Sequence, residues 1–564
     1  MTMMRCVFLC AVTTAVLYGQ SSYNVTFYGS IDPYTGGANG ADYSEVWGWT
    51  DTVSGKEYAF IGTSKGTSVV DISSLPLKET ALLPGPPSGY NYHEFRTFGH
   101  HLYVGAEGTD PAKRPGIQIH DLSTLPDSVT FVKTYTWKDT TTSVQSYLRA
   151  HTLTIDGHFL YANGGDFGGT RIMDVSDPVN PRQVGSYGKG STPYVHDAYV
   201  RNDTLYAAAI NAGRLDIVDL TVKGHYTQNT ASKVVSMVPT VPEGRTHQVW
   251  LSDDGRTMFV ATEAPSATIT NPYKLHIYDI TNRNAPVEIA SWVSSATASI
   301  HNVFVKGNFL YIAYYGDGFR VLDVSNPANP IEVAFYDTYP GPRKSGDHPV
   351  FHGAWGVYPY FPSGKVAVSD MNTGLYVLTV NEKPGGSVVG IVRDALTNAP
   401  LSGVTVTVLE TGRIQTTTAT GIYRYGTAAG THSVLFAKSG YTADTLSIVT
   451  KAGTTDTVYV LLAPSVTHAG GSDIPLPGSF HLEQNMPNPF NPSTTIGYTL
   501  AAAQFVDLSV YDLLGRRIAT LVQAQRPAGR HVETFSAASI PSGVYLYTLT
   551  AGPYTRTRKM VVTR

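Results

Sequence analysis

Cysteine is all but missing from this 564-residue chain, and its two copies, Cys6 and Cys10, both lie in the first ten residues. They fall inside an apolar run, Cys6 to Tyr18, that follows Arg5 and gives way to Gly19, Gln20 and Ser21. A positive start, a short apolar core and small residues after it read as a secretory signal peptide over residues 1–20. Its removal leaves a mature chain without cysteine, which excludes disulfides, thiolate metal sites and a Cys nucleophile. Reading Cys10 as a lipid-bearing residue is weakened by Leu9, which stands where a small residue is wanted. No apolar run approaches the ~20 residues needed to cross a bilayer, so no transmembrane segment is expected in the mature chain. Charge is scarce as well: 15% of residues are charged, and 40 Lys plus Arg against 43 Asp plus Glu leave a formal net charge of -3. Without a basic excess, a nucleic-acid partner is not expected. What abounds is Gly (54), Pro (34) and Tyr (36), the composition of short strands and turns.

The strands recur as a repeat. A phrase of the form apolar-x-Asp-apolar-Ser/Thr ends at Asp71-Ile72-Ser73, Asp121-Leu122-Ser123, Asp174-Val175-Ser176, Asp219-Leu220-Thr221, Asp279-Ile280-Thr281 and Asp323-Val324-Ser325, and a seventh copy carries Thr379 in the Asp place. Upstream of these, His93, His151, His196, His247, His301 and His352 each open a strand, as in His301-Asn302-Val303-Phe304-Val305. The first unit has Ser44 there. Each unit reads as four strands: a His strand, an aromatic strand, an Asp strand and a strand after prolines. Four strands in about 40–50 residues make a propeller blade, and seven units make seven blades. The seventh copy stops at Val380 without a fourth strand. Asn24-Val25-Thr26-Phe27-Tyr28 looks like that missing strand, and supplying it would remove an open edge.

Residues 21–381 resemble the LVIVD-repeat proteins, and within them the choice-of-anchor B group. The motifs that carry the resemblance are Trp47-Gly48-Trp49, Val70-Asp71-Ile72-Ser73, Val195-His196-Asp197, Thr246-His247-Gln248, Ile300-His301-Asn302 and Gly353-Ala354-Trp355. No catalytic residues come with it. Residues 386–464 resemble the carboxypeptidase regulatory-like (transthyretin-like) β-sandwich through Asp394, Pro400-Leu401-Ser402-Gly403-Val404 and Gly421-Ile422-Tyr423, an accessory domain in that family. Residues 465–478 form a Gly-, Ser- and Pro-rich linker. Residues 479–564 resemble the type IX secretion, type A C-terminal sorting domain through Asn485-Met486-Pro487-Asn488-Pro489-Phe490-Asn491-Pro492, Gly543-Val544-Tyr545 and Arg558-Lys559-Met560. That resemblance implies the type IX secretion machinery as a partner and an address on the outer surface of a bacterium or outside it.

The candidate chemistry centres on six histidines, His93, His151, His196, His247, His301 and His352. Equivalent inner-strand positions converge on a propeller's axis, so six imidazoles could hold a divalent metal. The competing reading makes each a packing residue copied by duplication. The residues that follow them (Glu94, Thr152, Asp197, Gln248, Asn302, Gly353) vary in type and are expected on the opposite strand face. Gly62-Thr63-Ser64-Lys65-Gly66 fits G-x-S-x-G, but a strand rather than a helix follows it, so it reads as a hairpin turn. His93-Glu94-Phe95-Arg96 lacks the second His of a zinc-protease helix, and no calcium loop, dinucleotide fingerprint or P-loop occurs. The repeated Asp residues are expected to satisfy backbone groups at turns. Tyr90, Tyr92, Trp137, Tyr314, Tyr315, Trp355, Tyr358 and Tyr360 suit either sugar or peptide stacking or the blade core, with core favoured for most. Insertions over 221–242 and 263–272 are the expected variable rim.

The sequence thus predicts an all-β chain, a seven-bladed β-propeller followed by two small β-sandwich domains, exported and displayed at the cell surface. Non-enzymatic binding or adhesion to an extracellular protein or glycan is the leading expectation. A metal-dependent polysaccharide lyase or hydrolase using the His ring, and a structural cell-envelope protein, are the alternatives.

Overall fold

A computed structural model describes residues 21–35, 41–85, 92–106, 116–136, 149–188, 194–226, 234–239, 245–263, 273–295, 298–339, 350–465, 480–512, 516–552 and 554–563. The signal segment and nearly all of the linker lie outside them. Among the described residues, seven sheets, antiparallel but for one short parallel strand, use the chain up to Val380. Their first strands are Tyr43–Thr50, His93–Phe98, Thr152–Asp156, Asp197–Arg201, Thr246–Leu251, Val303–Lys306 and Ala354–Tyr358. Each of these adjoins the next, and Ala354–Tyr358 adjoins Tyr43–Thr50, so the series closes on itself as a β-propeller. The apolar cores lie between neighbouring sheets: Tyr161 and Ile172 of the third, for example, pack with Val200, Leu205 and Val218 of the fourth.

The closing strand is the one the repeat pattern called for. Val25–Ile31 pairs with Gly374–Val380, from Val25 opposite Val380 to Ile31 opposite Leu375. Just before it, Ser22–Tyr23 adds a fifth strand to the sixth sheet through Tyr336 and Phe335, so the N-terminal segment stitches two sheets rather than one. Every fourth strand carries one extra residue against its partner, a β-bulge. In sequence order these are Tyr28, Thr80, Val132, Val184, Val235, Ile289 and Val333. The N-terminal strand shares this bulge with strands formed far along the chain, the mark of the same structural position.

The repeated Asp is a turn device. The side-chain Oδ1 of Asp71, Asp121, Asp174, Asp219, Asp279 and Asp323 accepts the backbone N–H two residues on, at 2.8 to 2.9 Å in all six. The residue between donates its own N–H back to the turn before the second strand, as Ile72 does to Glu57 and Val324 to Asn308. These bonds lower the carboxyls of Asp71, Asp121, Asp174 and Asp279 from their ordinary value, in Asp71 and Asp121 against the opposing push of burial. The insertion after Asp219 returns to the third sheet, where His225–Tyr226 runs parallel to Arg182–Tyr187, before Val234–Pro239 completes the fourth.

Two facing sheets of three and four strands fill 385–462 around Val388, Val404, Tyr423, Phe436 and Val460. This sandwich is tied to the sixth sheet of the propeller. Asp323 Oδ2 accepts the Gly385 N–H (2.5 Å), Asn329 bonds Ser387 (3.1 Å), and a β-carbon at Gly385 or Gly426 would press into Ile331. The C-terminal unit is a second sandwich of three and four strands about Tyr498, Leu508, Tyr547 and Met560. No helix among the described residues is long and apolar enough to cross a membrane.

Two predictions test ring closure. Gly48 leaves room for the Tyr358 and Phe361 rings where the first and seventh sheets meet, and a β-carbon there would collide with both. Gly48→Ala is expected to cost about 1–3 kcal/mol in urea unfolding, with the same m-value. Asp370 is buried and accepts from the hydroxyl of Thr338 (2.6 Å), just past the last strand of the sixth sheet, and from the N–H groups of Asn372 and Thr373. Burial pushes its carboxyl up to about 6 from 3.8. Stability from the protonated folded form is complete below pH 3.8 and lost as pH rises through 6. Asp370→Asn, always neutral, should therefore gain on the wild type between pH 4 and 6 by about 2–3 kcal/mol. Parallel stability curves for the two proteins would refute it.

Candidate functional site at the propeller channel

The first strands meet the channel by their edges, and the landmark histidines stand at their starts. His151, His196, His247 and His301 follow one another with ring centroids 3.9, 4.4 and 4.5 Å apart. Trp355 continues the arc 4.2 Å from His301, and Tyr92 stacks on Trp355 at 5.3 Å and 14°. The expected ring of six is thus an arc of four. His93 borders the same cavity but packs over Gly62 of the preceding sheet, its N–H bonded to Ser44 Oγ at 3.2 Å. His352 turns onto Gly316 and Tyr339, leaving Trp355 in the arc.

A second correction concerns the next residue of each repeat. Glu94, Thr152, Asp197, Gln248 and Asn302, with Glu45 from the first strand, line the same cavity as the histidines rather than turning away from it. An innermost strand offers the channel an edge instead of a face, so side chains leaning to either side border the opening. Glu45 Oε2 accepts from Asn302 Nδ2 across the channel at 2.6 Å. Gln248 Oε1 accepts the Val303 N–H (2.5 Å), and Thr152 Oγ1 donates to the His196 carbonyl (2.9 Å). Arg96 donates to Glu94 (2.6 Å) and lies 4.1 Å over the Trp47 ring. The space left is about 30 Å³, room for about one water.

Burial dominates the electrostatics. It raises Glu45 well above the usual carboxylate range, helped by Glu94, and pushes Glu94 up to about 7 against the opposing pull of Arg96. Asp197 is raised for the same reason. His196 and His301 are held well below the usual imidazole range by burial and by neighbouring imidazoles, and burial lowers His247. These three rings are therefore neutral at pH 7. His301 Nδ1 donates to the Trp355 carbonyl at 2.6 Å, which fixes the tautomer and leaves the lone pair on Nε2.

Sequence reasoning missed Glu263. It lies just past the strand Thr257–Thr262, outside the repeat's register, 9% exposed, with Oε2 3.8 Å from His247 Nε2 and Oε1 accepting the buried Tyr315 hydroxyl at 2.7 Å. The expected turn at Gly62–Gly66 is a hairpin in which Thr63 pairs with Gly66. Tyr314 and Tyr315 are core, Tyr358 packs on Trp47 and Tyr360 on Trp250, whereas Tyr92 is 41% exposed. Tyr90, Trp137 and residues 264–272 lie outside the described residues. A larger hollow of about 270 Å³ between Arg201, Arg256 and Arg283 sits away from the channel, and Arg201 there already bonds the Ser252 and Asp253 carbonyls.

Comparison with known proteins bears on both ends of the chain. The LVIVD repeat family matches at residues 52–76, 149–188 and 299–338, and the secretion system C-terminal sorting domain matches at 486–563. No curated protein matches the chain. Among solved structures it is similar to Sqt1 of Saccharomyces cerevisiae, at 10% identity and a TM-score of 0.40, covering 64% of this chain and 99% of that one. It is also similar to a protein of unknown function from Desulfotomaculum acetoxidans, at 11% identity and a TM-score of 0.33, covering 51% and 84%. Likeness of that degree carries no information on activity.

Arg96 is the cation that faces Glu45, Glu94 and Asp197. Arg96→Gln should destabilise the chain by about 3–5 kcal/mol in denaturant unfolding, and adding Glu94→Gln should recover part of that loss.

Proposed function

From LVIVD repeats and a type IX sorting domain on one chain, we propose a surface-displayed receptor that binds an extracellular glycan at the mouth of its propeller channel. The sorting domain makes this an exported protein of the cell surface or extracellular space, with the type IX secretion machinery as its partner during export. The observation that carries the binding half is the Tyr92–Trp355 pair. Tyr92 is exposed yet stacked, so one ring face is held rigid beside a cavity bordered by Glu45, Glu94, Gln248 and Asn302. A flat aromatic face next to fixed hydrogen-bonding groups suits a sugar ring, which stacks through its C–H face and bonds through its hydroxyls. The cavity itself is too small for a sugar, so the ligand would lie across the opening.

The alternative of a metal-dependent polysaccharide lyase or hydrolase gains support from one feature, the imidazole and carboxylate cluster beside this pair. Binding is preferred because the space among these imidazoles and carboxylates, about 30 Å³, is too small to admit a sugar to them, whereas Tyr92 is exposed at the opening.

The test is a glycan array on the full mature chain, followed by calorimetry on the strongest hit. Tyr92→Ala should weaken that binding at least tenfold with an unchanged melting temperature, whereas Tyr459→Ala on the sandwich should leave it intact. Absence of any glycan binding, or binding indifferent to Tyr92, would overturn the proposal in favour of a protein partner.

A further inference from the structure

Two middle histidines of the arc and a carboxylate from outside it bring their ligand atoms together. One ring nitrogen each from His196 and His247 and one carboxylate oxygen from Glu263 all lie within 4.8 Å of one another. His247 is 2% exposed, and neither of its ring nitrogens meets a hydrogen-bond partner at normal distance and angle, nor does His196 Nδ1. Buried imidazole nitrogens are rarely left so, because each lost hydrogen bond costs free energy. Glu263 is equally short of compensation: among the described residues no Lys or Arg lies within ion-pair distance of it, and its partners are the Tyr315 hydroxyl and the His247 ring. A buried carboxylate with no direct ion-pair partner, set beside unpartnered imidazole nitrogens, offers a set of ligand atoms that a cation would satisfy.

We propose that His196, His247 and Glu263 bind a divalent first-row transition ion at the channel, with Tyr315 positioning the carboxylate. Two imidazoles and one carboxylate suit zinc and its neighbours and do not suit calcium or magnesium, which take oxygen ligands. At bonds of about 2.0–2.1 Å in a tetrahedron, ligand atoms stand about 3.3 Å apart, so the 3.8 Å between His247 Nε2 and Glu263 Oε2 needs a closure of about half an ångström. Tyr315, 1% exposed, holds Glu263 Oε1 and leaves Oε2 turned to His247, the outer-shell bond that such ligands usually have. His301, packed 4.5 Å from His247 with its lone pair on Nε2, is the next imidazole in line. The site narrows the six-histidine expectation to two of its members plus a carboxylate outside the repeat, and it does not depend on glycan binding.

The other grouping of this kind, His100, His101 and Asp121, serves as the control. Its carboxylate already holds the Ser123 N–H in the turn that all six Asp repeats share, and His100 is on the surface.

The full mature chain, stripped with chelator, would be titrated with Zn²⁺ and separately with Co²⁺, reading bound metal by mass spectrometry, visible Co²⁺ absorption and melting temperature. The expected result is one tightly held ion per chain, a tetrahedral Co²⁺ spectrum and a melting temperature raised by several degrees. Glu263→Gln and His247→Gln should each lose at least a hundredfold in affinity, and Tyr315→Phe about tenfold. His100→Asn and His352→Gln should change nothing. Should a ligand variant fold poorly, the Tyr315→Phe loss and the metal-induced melting shift of the wild type still decide the matter. No retained ion in the wild type, or an ion lost with His100→Asn and kept with Glu263→Gln, would overturn the proposal.

Discussion

Closing a series of sheets about one axis fixes where their first strands must go, and most of the unusual chemistry here follows from that crowding. The inner strands stand edge-on around an opening that leaves about 30 Å³ free. Side chains at their starts have no solvent to turn to, so imidazoles pack ring against ring and carboxylates from different sheets face one another. The molecule meets this in three ways. It shifts groups toward their uncharged forms by burial, as in Glu45, His196 and His301. It pairs Glu94 with Arg96, whose guanidinium also covers Trp47. And it spends neutral amides, Asn302 on Glu45 and Gln248 on a backbone N–H.

Away from the axis the demands are ordinary, and the repeat answers them with the same parts each time. The Asp side chain closes the turn after the third strand, the following amide ties that turn to the start of the second strand, and an extra residue in the fourth strand bends the outer edge. Asp323 then takes on a second task by accepting the Gly385 N–H, which anchors the sandwich to the propeller through a residue the repeat already supplied. The boundary between propeller and sandwich at Gly385 is a packed one.

These differences mark what could be read from residues alone. The Asp turns were legible because one chemical need, an unpaired N–H after a strand, selects one residue type at one spacing. The closing strand was legible because its apolar pattern matched other fourth strands. The convergence of the histidines was legible only in part. Equivalent positions in a repeat approach the same axis, but whether a ring leans into the channel or onto a neighbouring glycine depends on the sheet beside it, as His93 over Gly62 and His352 on Gly316 illustrate. The Glu45, Glu94 and Asp197 group escaped because strand alternation predicts two faces, and an edge-on strand at an axis shows both. Glu263 escaped because it comes from a loop, where no period marks it. The bulges were invisible because one added residue only shifts an alternation that short strands barely establish.

The strand Val25–Ile31 and its partner Gly374–Val380 are separated by about 350 positions in the chain, yet neither sheet nor ring is whole until they meet. Until Gly374–Val380 is formed, Val25–Ile31 has no partner strand in its own sheet. Pairing over so long a loop is entropically costly, so the clasp makes the whole propeller, rather than its separate repeats, the unit that folds.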